Sequence, residues 1–267
     1  MHYIYQVDSF TAVPFSGNPA GVCVLEGQID ENLCLKISSE MNLSETAFVW
    51  PEGTSNTFNL KWFTPKTEVK MCGHATLATA WIQFTELGIK GEIFYETLSG
   101  RLKVKLVDEM IEMDFPSEDP VRIDLDRRIG EIIGIEGNAY YSPGTEKLLY
   151  EIPVKDELET LSFDTKRLLK TDFGKQSKGL IVTCSGDERY DFYSRYFAPW
   201  VGIDEDPVTG SAHTVLGPFW AKKLNKKKLK ACQLSARKGE LETELLDDRR
   251  ILIRGKAVTV IRGVISI

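Results

Sequence analysis

The sequence predicts an α+β protein of two similar domains, each a curled, mostly antiparallel sheet around a central apolar helix. Three observations lead there. First, one motif occurs twice: Trp62-Phe63-Thr64-Pro65, Glu68-Val69 and Cys72-Gly73-His74-Ala75-Thr76, then Tyr196-Phe197-Ala198-Pro199, Glu205-Asp206-Pro207-Val208 and Thr209-Gly210-Ser211-Ala212-His213. Phe63 and Phe197 are 134 positions apart and Gly73 and Gly210 are 137 apart, so the second copy carries three extra residues. Leu98-Ser99-Gly100-Arg101 is echoed by Leu234-Ser235-Ala236-Arg237 at an offset of 136. A period this long indicates two homologous domains, since solenoid repeats run to roughly 20–50 residues. Second, strand-like segments follow one another directly, a pattern of α+β rather than alternating βαβ folds. Third, each copy leads into an apolar stretch of helical length, and a helix apolar all round is a buried one.

The elements follow in order. Tyr3 to Phe10 reads as a strand, Phe15-Ser16-Gly17-Asn18-Pro19 as a turn, and Gly21 to Leu25 as a second strand. Asp30 is placed to cap a helix whose Leu33, Ile37 and Met41 form a core-facing stripe. Strands are expected at Thr46 to Trp50 and Phe58 to Phe63, then the first buried helix from Gly73, ending near Leu87-Gly88. Further strands read at Glu92 to Thr97, Leu102 to Val107 and Ile111 to Phe115. The polar, proline-bounded stretch Pro116 to Pro120 marks the domain boundary, giving domains 1–117 and 118–267. The second domain reads as a short helix around Asp126 to Ile133 and a strand near Leu148 to Val154. A charged helical segment from Asp156 to Leu169, broken near Ser162, follows, with strands at Gly179 to Cys184 and Asp191 to Phe197. The second buried helix, Gly210 to Leu224, precedes three closing strands.

Composition narrows the function. The chain has 267 residues and a net charge of −6, which argues against a nucleic-acid surface. Five scattered cysteines without a C-x-x-C pair suit a reducing cytoplasm. The N-terminus shows no signal-peptide pattern, and no apolar run approaches the ~18–20 residues that span a bilayer, so neither export nor membrane attachment is expected. Walker, G-x-G-x-x-G and G-x-S-x-G motifs are absent from the sequence, which lowers the weight of phosphate, dinucleotide and serine-hydrolase chemistry. Cofactor-free proton transfer remains.

The candidate chemistry gathers at the two helix starts. A helix N-terminus carries unpaired N–H groups and the positive end of the dipole, so two starts facing one site would hold a carboxylate. Gly73 and Gly210 let a ligand approach the backbone, with His74 and Ser211 beside them. Glu45, in Leu43-Ser44-Glu45-Thr46-Ala47-Phe48-Val49, is a carboxyl among apolar neighbours, suited to take and return a proton. Asp206 is its natural partner, and His74 is suited to orient or polarise a substrate group. A metal site of His74, His213 and Asp206 lacks recognisable ligand spacing, so no metal is expected. Cys72, next to a helix start, has the setting of a base or nucleophile, but Thr209 stands at its place in the second copy.

Gly17-Asn18-Pro19-Ala20, Leu43-Ser44-Glu45-Thr46-Ala47-Phe48, Phe63-Thr64-Pro65, Cys72-Gly73-His74-Ala75-Thr76 and Glu205-Asp206-Pro207-Val208-Thr209-Gly210-Ser211-Ala212 together resemble the PhzF-like phenazine-biosynthesis family. The likeness runs along nearly the whole chain. It implies the diaminopimelate epimerase-like fold, a site in the cleft between the two domains, and a homodimer. It also implies that Glu45 moves a proton between carbons, with His74, Asp206 and Ser211 as its catalytic companions. Asn18, Ser44, Gly73 and Gly210 would line the substrate site. The epimerases and racemases of that fold use paired thiols, and Cys72 matches only the first of them.

The expectation is therefore a cytoplasmic, cofactor-independent isomerase of a small carboxylate-bearing metabolite, with Glu45 as acid and base. One alternative is an amino-acid-type racemase or epimerase using Cys72. Another is a binding protein of the same fold without turnover.

Overall fold

The computed structural model describes residues 2–53, 56–124, 127–171, 177–247 and 249–266. The chain forms two compact units, Met1–Phe115 with Leu252–Ile267, and Pro116–Ile251. Elements are mixed α+β, as expected, and each unit is built largely of strands.

In the first unit, β1 (His2–Ser9) pairs antiparallel with β2 (Asn18–Val24). Helix α1 (Glu31–Met41) begins where the Asp30 carboxylate accepts the Asn32 N–H at 2.9 Å, and ends at Asn42 in the left-handed region. Its buried side, including Cys34 and Ile37, covers β3 (Thr46–Pro51) and β4 (Thr57–Phe63). The short β5 (Glu68–Val69) pairs back on β4 and leads into α2 (Gly73–Thr85). Then follow β6 (Ile93–Thr97), β7 (Gly100–Val107) and β8 (Met110–Pro116). Strand β2 runs parallel to β3 and β4 parallel to β6, while β3–β4, β6–β7 and β7–β8 are antiparallel.

Helix α2 is buried on nearly every side, as its uncharged sequence requires. Its threonines solve the resulting polar problem locally. Thr76 donates to the Cys72 carbonyl at 2.6 Å and Thr79 to that of Ala75 at 2.7 Å, so neither hydroxyl is stranded in the core. Gln83 accepts the Tyr95 hydroxyl at 2.6 Å. The helix ends at Thr85, and the left-handed residue that turns the chain is Gly88, at φ 69°.

The second unit repeats this plan. Short β9 (Val121–Arg122) and helix α3 (Arg127–Ile133) come first; Asp126, the expected helix start, lies outside the described residues. Next are β10 (Asn138–Ser142), β11 (Lys147–Glu151) and α4 (Lys155–Thr160), with a 3-10 turn at Thr165–Lys170 that accounts for the break near Ser162. Then come β12 (Gly179–Ser185), β13 (Phe192–Ala198), β14 (Ile203–Asp206), α5 (Gly210–Leu224), β15 (Lys228–Gln233) and β16 (Gly239–Leu245). Strand β11 is parallel to β12 and β13 to β15, while β12–β13, β13–β14 and β15–β16 are antiparallel. The succession of parallel and antiparallel pairs is that of β2 to β7. Strand β10 was not expected from the sequence; it lies between Gly137 and Pro143 and pairs with β9 and β11.

Pro218 sits inside α5. It has no N–H to give the Thr214 carbonyl, and that oxygen instead accepts the Glu118 N–H at 3.1 Å.

The chain closes with four strands rather than three, the last two being β17 (Arg250–Gly255) and β18 (Ala257–Ile265). Here the division departs from 118–267. Strand β18 pairs antiparallel with the whole of β1, so Leu252–Ile267 belongs to the first unit. Within that unit the buried Glu112 carboxylate meets Arg254 Nε at 2.6 Å and Lys105 Nζ at 3.0 Å, the pairing a buried charge needs. A Cβ on Gly255 would lie 2.5 Å from Phe10 and 2.9 Å from Leu77, so only glycine lets α2 come this close.

Candidate active site

Each unit carries one cluster of the expected residues at the start of its central helix. In the first unit, the left-handed cap of α1 at Asn42 turns the chain through Ser44 and Glu45 into β3. The Glu45 carbonyl accepts the Gly21 N–H at 3.1 Å, which extends the β2–β3 pairing by one position. That bond fixes the backbone from which the carboxyl projects. The Glu45 side chain is 14% exposed, and its Oε2 lies 3.4 Å from Nε2 of His74, itself 7% exposed. Ser44 Oγ stands 3.4 Å from the same nitrogen.

His74 is held from three directions. Its carbonyl accepts the Ser9 hydroxyl at 2.8 Å, and Cys72 Sγ lies 3.5 Å from its Nδ1. Asn18 is fully buried and opposite Ser9 in the β1–β2 register. Glu45, His74, Ser44, Gly73 and Cys72 are thus brought together, with Asn18 one strand from the Ser9 bond.

In the second unit, Asp206 ends β14 and its Oδ2 accepts the Thr209 hydroxyl. Buried Gln233 fastens this turn at both ends: its Oε1 accepts the Thr209 N–H at 2.9 Å and its Nε2 donates to the Asp206 carbonyl at 2.7 Å. Gly210 and Ser211 open α5 directly after it, and the Ser211 carbonyl accepts the Thr214 hydroxyl at 2.9 Å. The repeated Leu-Ser tetrapeptides brace equivalent loops. Ser99 donates to the Lys70 carbonyl and Ser235 to that of Pro207, each at 2.7 Å.

The N-cap residues Cys72 and Thr209 share an unusual habit. Among the described residues, neither side chain makes a capping bond to its own helix. The first-turn N–H groups are not consumed by the side chain that would ordinarily take them, which suits an anion.

The duplication is not symmetric at Glu45. Thr46 pairs with Phe63 as Leu180 pairs with Phe197, so Gly179 stands where the first unit has Glu45. A Cβ on Gly179 would lie 2.0 Å from the Tyr196 hydroxyl, so no carboxyl fits there.

One ligand atom each from Glu45, Cys72 and His74 lie within 4.8 Å of one another, a set that could hold a soft divalent ion. The closest contacts of Glu45 and Cys72 are to opposite nitrogens of the ring. His213 is fully buried in α5 with Nδ1 2.8 Å from the Thr209 carbonyl, and burial pushes it down to about 4, so it is a neutral core residue. Burial also raises the thiols of Cys23, Cys34 and Cys184 to about 12 and that of Cys232 to about 11.

Ser9, Gln233 and the thiol contact of Cys72 escaped the sequence reading. Ser9 carries no motif, whereas Gln233 directly precedes the repeated Leu-Ser pair, a signal that marks its neighbourhood.

These units define a protein of the diaminopimelate epimerase-like fold. A hydroxyproline epimerase from Agrobacterium vitis, solved with bound trans-4-hydroxy-L-proline, is similar at a TM-score of 0.63 and 11% identity over 98% of this chain and 91% of that one. The profile of the phenazine biosynthesis-like protein family matches residues 7–263, and the chain belongs to that family. An uncharacterized isomerase from Halalkalibacterium halodurans is 44% identical over 264 residues, covering 97% of both chains. A PhzF-family phenazine biosynthesis protein from Enterococcus faecalis, of known structure, is 38% identical with a TM-score of 0.92 over 98% of both.

Proposed function

We propose that the protein is a cofactor-independent isomerase that moves a proton between carbons of a small carboxylate-bearing metabolite. The observation that carries this reading is the Glu45 carboxyl, nearly enclosed and set against His74 and Ser44 beside the start of α2. Relatives named as isomerases support the class. In this scheme Glu45 removes a proton from carbon, leaving an enolate-like anion, and returns it to another carbon, so the enzyme ends as it began. The first-turn N–H groups of α2 and the His74 ring stabilise the developing charge. Asp206 and Ser211 hold amino, carboxylate or hydroxyl groups of the substrate, and Asn18, Ser44, Gly73 and Gly210 line its site. The same reading expects a homodimer, which light scattering checks.

The test is a screen of small carboxylates in heavy water. Deuterium incorporation by the natural protein, lost in Glu45→Gln, is the expected result. Incorporation that persists in Glu45→Gln overturns it. The epimerase fold and the Cys72 thiol favour a second reading, a racemase. It requires inversion at a chiral carbon that survives Glu45→Ala and is lost in Cys72→Ala.

A further inference from the structure

We infer that Cys72 is a positioning residue for His74, its thiol donating to Nδ1 so that the ring carries its proton on Nε2, facing Glu45. A neutral imidazole has one donor and one acceptor, and the partner of one nitrogen decides the state of the other. Cys72 Sγ is 3.5 Å from Nδ1, while Glu45 Oε2 and Ser44 Oγ both lie 3.4 Å from Nε2. A carboxylate accepts only, so the productive arrangement puts N–H on Nε2 and leaves Nδ1 to accept. The thiol is the donor on that side.

The second unit supplies an independent parallel. Thr209, at the same N-cap position, also turns from its helix and donates to the polar group of its cluster, Asp206. In both copies the N-cap side chain serves a neighbouring side chain and leaves the first-turn N–H groups to a ligand. A serine or aspartate used as an ordinary cap would do the opposite.

The chain contains only three histidines, His2, His74 and His213. His213 is an internal reference for the other tautomer, because its Nδ1 faces the Thr209 carbonyl and must carry the proton. Nitrogen-15 spectra of histidine-labelled protein are therefore expected to show one buried ring of each tautomer. In Cys72→Ala the Nε2–H tautomer of His74 is expected to give way to a mixture, and Cys72→Thr, which keeps a donor, to restore it. His74 protonated on Nδ1 in the natural protein, or unchanged in Cys72→Ala, overturns the inference. So does a Cys72→Thr ring that behaves like that of Cys72→Ala.

The kinetic arm rests on the isomerase reading. There Cys72→Ala is expected to lower kcat for deuterium exchange by roughly ten-fold or more, with KM within about two-fold and Cys72→Thr close to the natural protein. A ring that responds as stated while no carboxylate exchanges deuterium upholds the positioning role and removes the isomerase reading instead.

Discussion

Glu45 and His74 reach each other from two turns, one leaving α1 and the other opening α2, and both are held by main-chain bonds rather than by motif chemistry alone. Glu45→Gln is expected to reduce proton exchange by about 10²–10⁴, read by NMR. His213 gives a second prediction at this scale. Its proton affinity is depressed from 6.5 to about 4 on folding, so the folded state binds fewer protons than the unfolded chain between those values. The stability it contributes is intact above pH 6.5 and drains as pH falls toward 4, by on the order of 3 kcal/mol in all. His213→Thr keeps the bond to the residue four back, as Thr76 does in the first copy, and should flatten this part of the urea-stability profile. Glu45, His74 and Asp206 stood out in the sequence because they lie in dense motifs. The thiol–imidazole contact did not, since rotamers decide which ring nitrogen a residue two positions away will meet.

Among elements, the turn from Asp206 to Thr209 depends on a residue from another strand. Gln233 uses one amide to close it at both ends, so Gln233→Leu removes a bond to the buried Thr209 N–H and a bond to the Asp206 carbonyl. The expected cost is about 1–3 kcal/mol, measured by urea unfolding, together with weaker substrate exchange. A variant as stable and active as the natural protein would show that the turn holds itself. The two central helices were legible as elements because largely apolar stretches of that length have few other fates. Helix α5 runs from Gly210 to Leu224, as its apolar stretch and glycine start imply. Strands β5, β9 and β14 were not, being two to four residues long and made by their partners. Strand β10 alternates too briefly between its flanking turns to show a period.

For the whole molecule, the duplication in the sequence is a duplication of strand order, yet the carboxyl is one-sided, with Glu45 answered by Gly179. The two-domain plan could be read from repeated motifs; the return of the C-terminal segment could not, because no local pattern says which edge a last strand will join. All eight residues of β1 find partners in β18. Removal of Leu252–Ile267 is therefore expected to leave residues 1–115 open to limited proteolysis while 116–251 resists, with mass spectrometry locating the cuts. Protection of both regions would contradict this dependence.

The same strand pairing governs the order of events during synthesis. As the polypeptide leaves the ribosome, residues 116–251 are complete while β1 has β2 beside it but still lacks β18. The unit that bears Glu45 is begun earlier in translation, yet it gains β18 only after residues 116–251 have been made. A nascent chain stalled before Ala257 therefore carries Glu45 in an unfinished unit, with a bare strand edge on β1 for chaperones to guard.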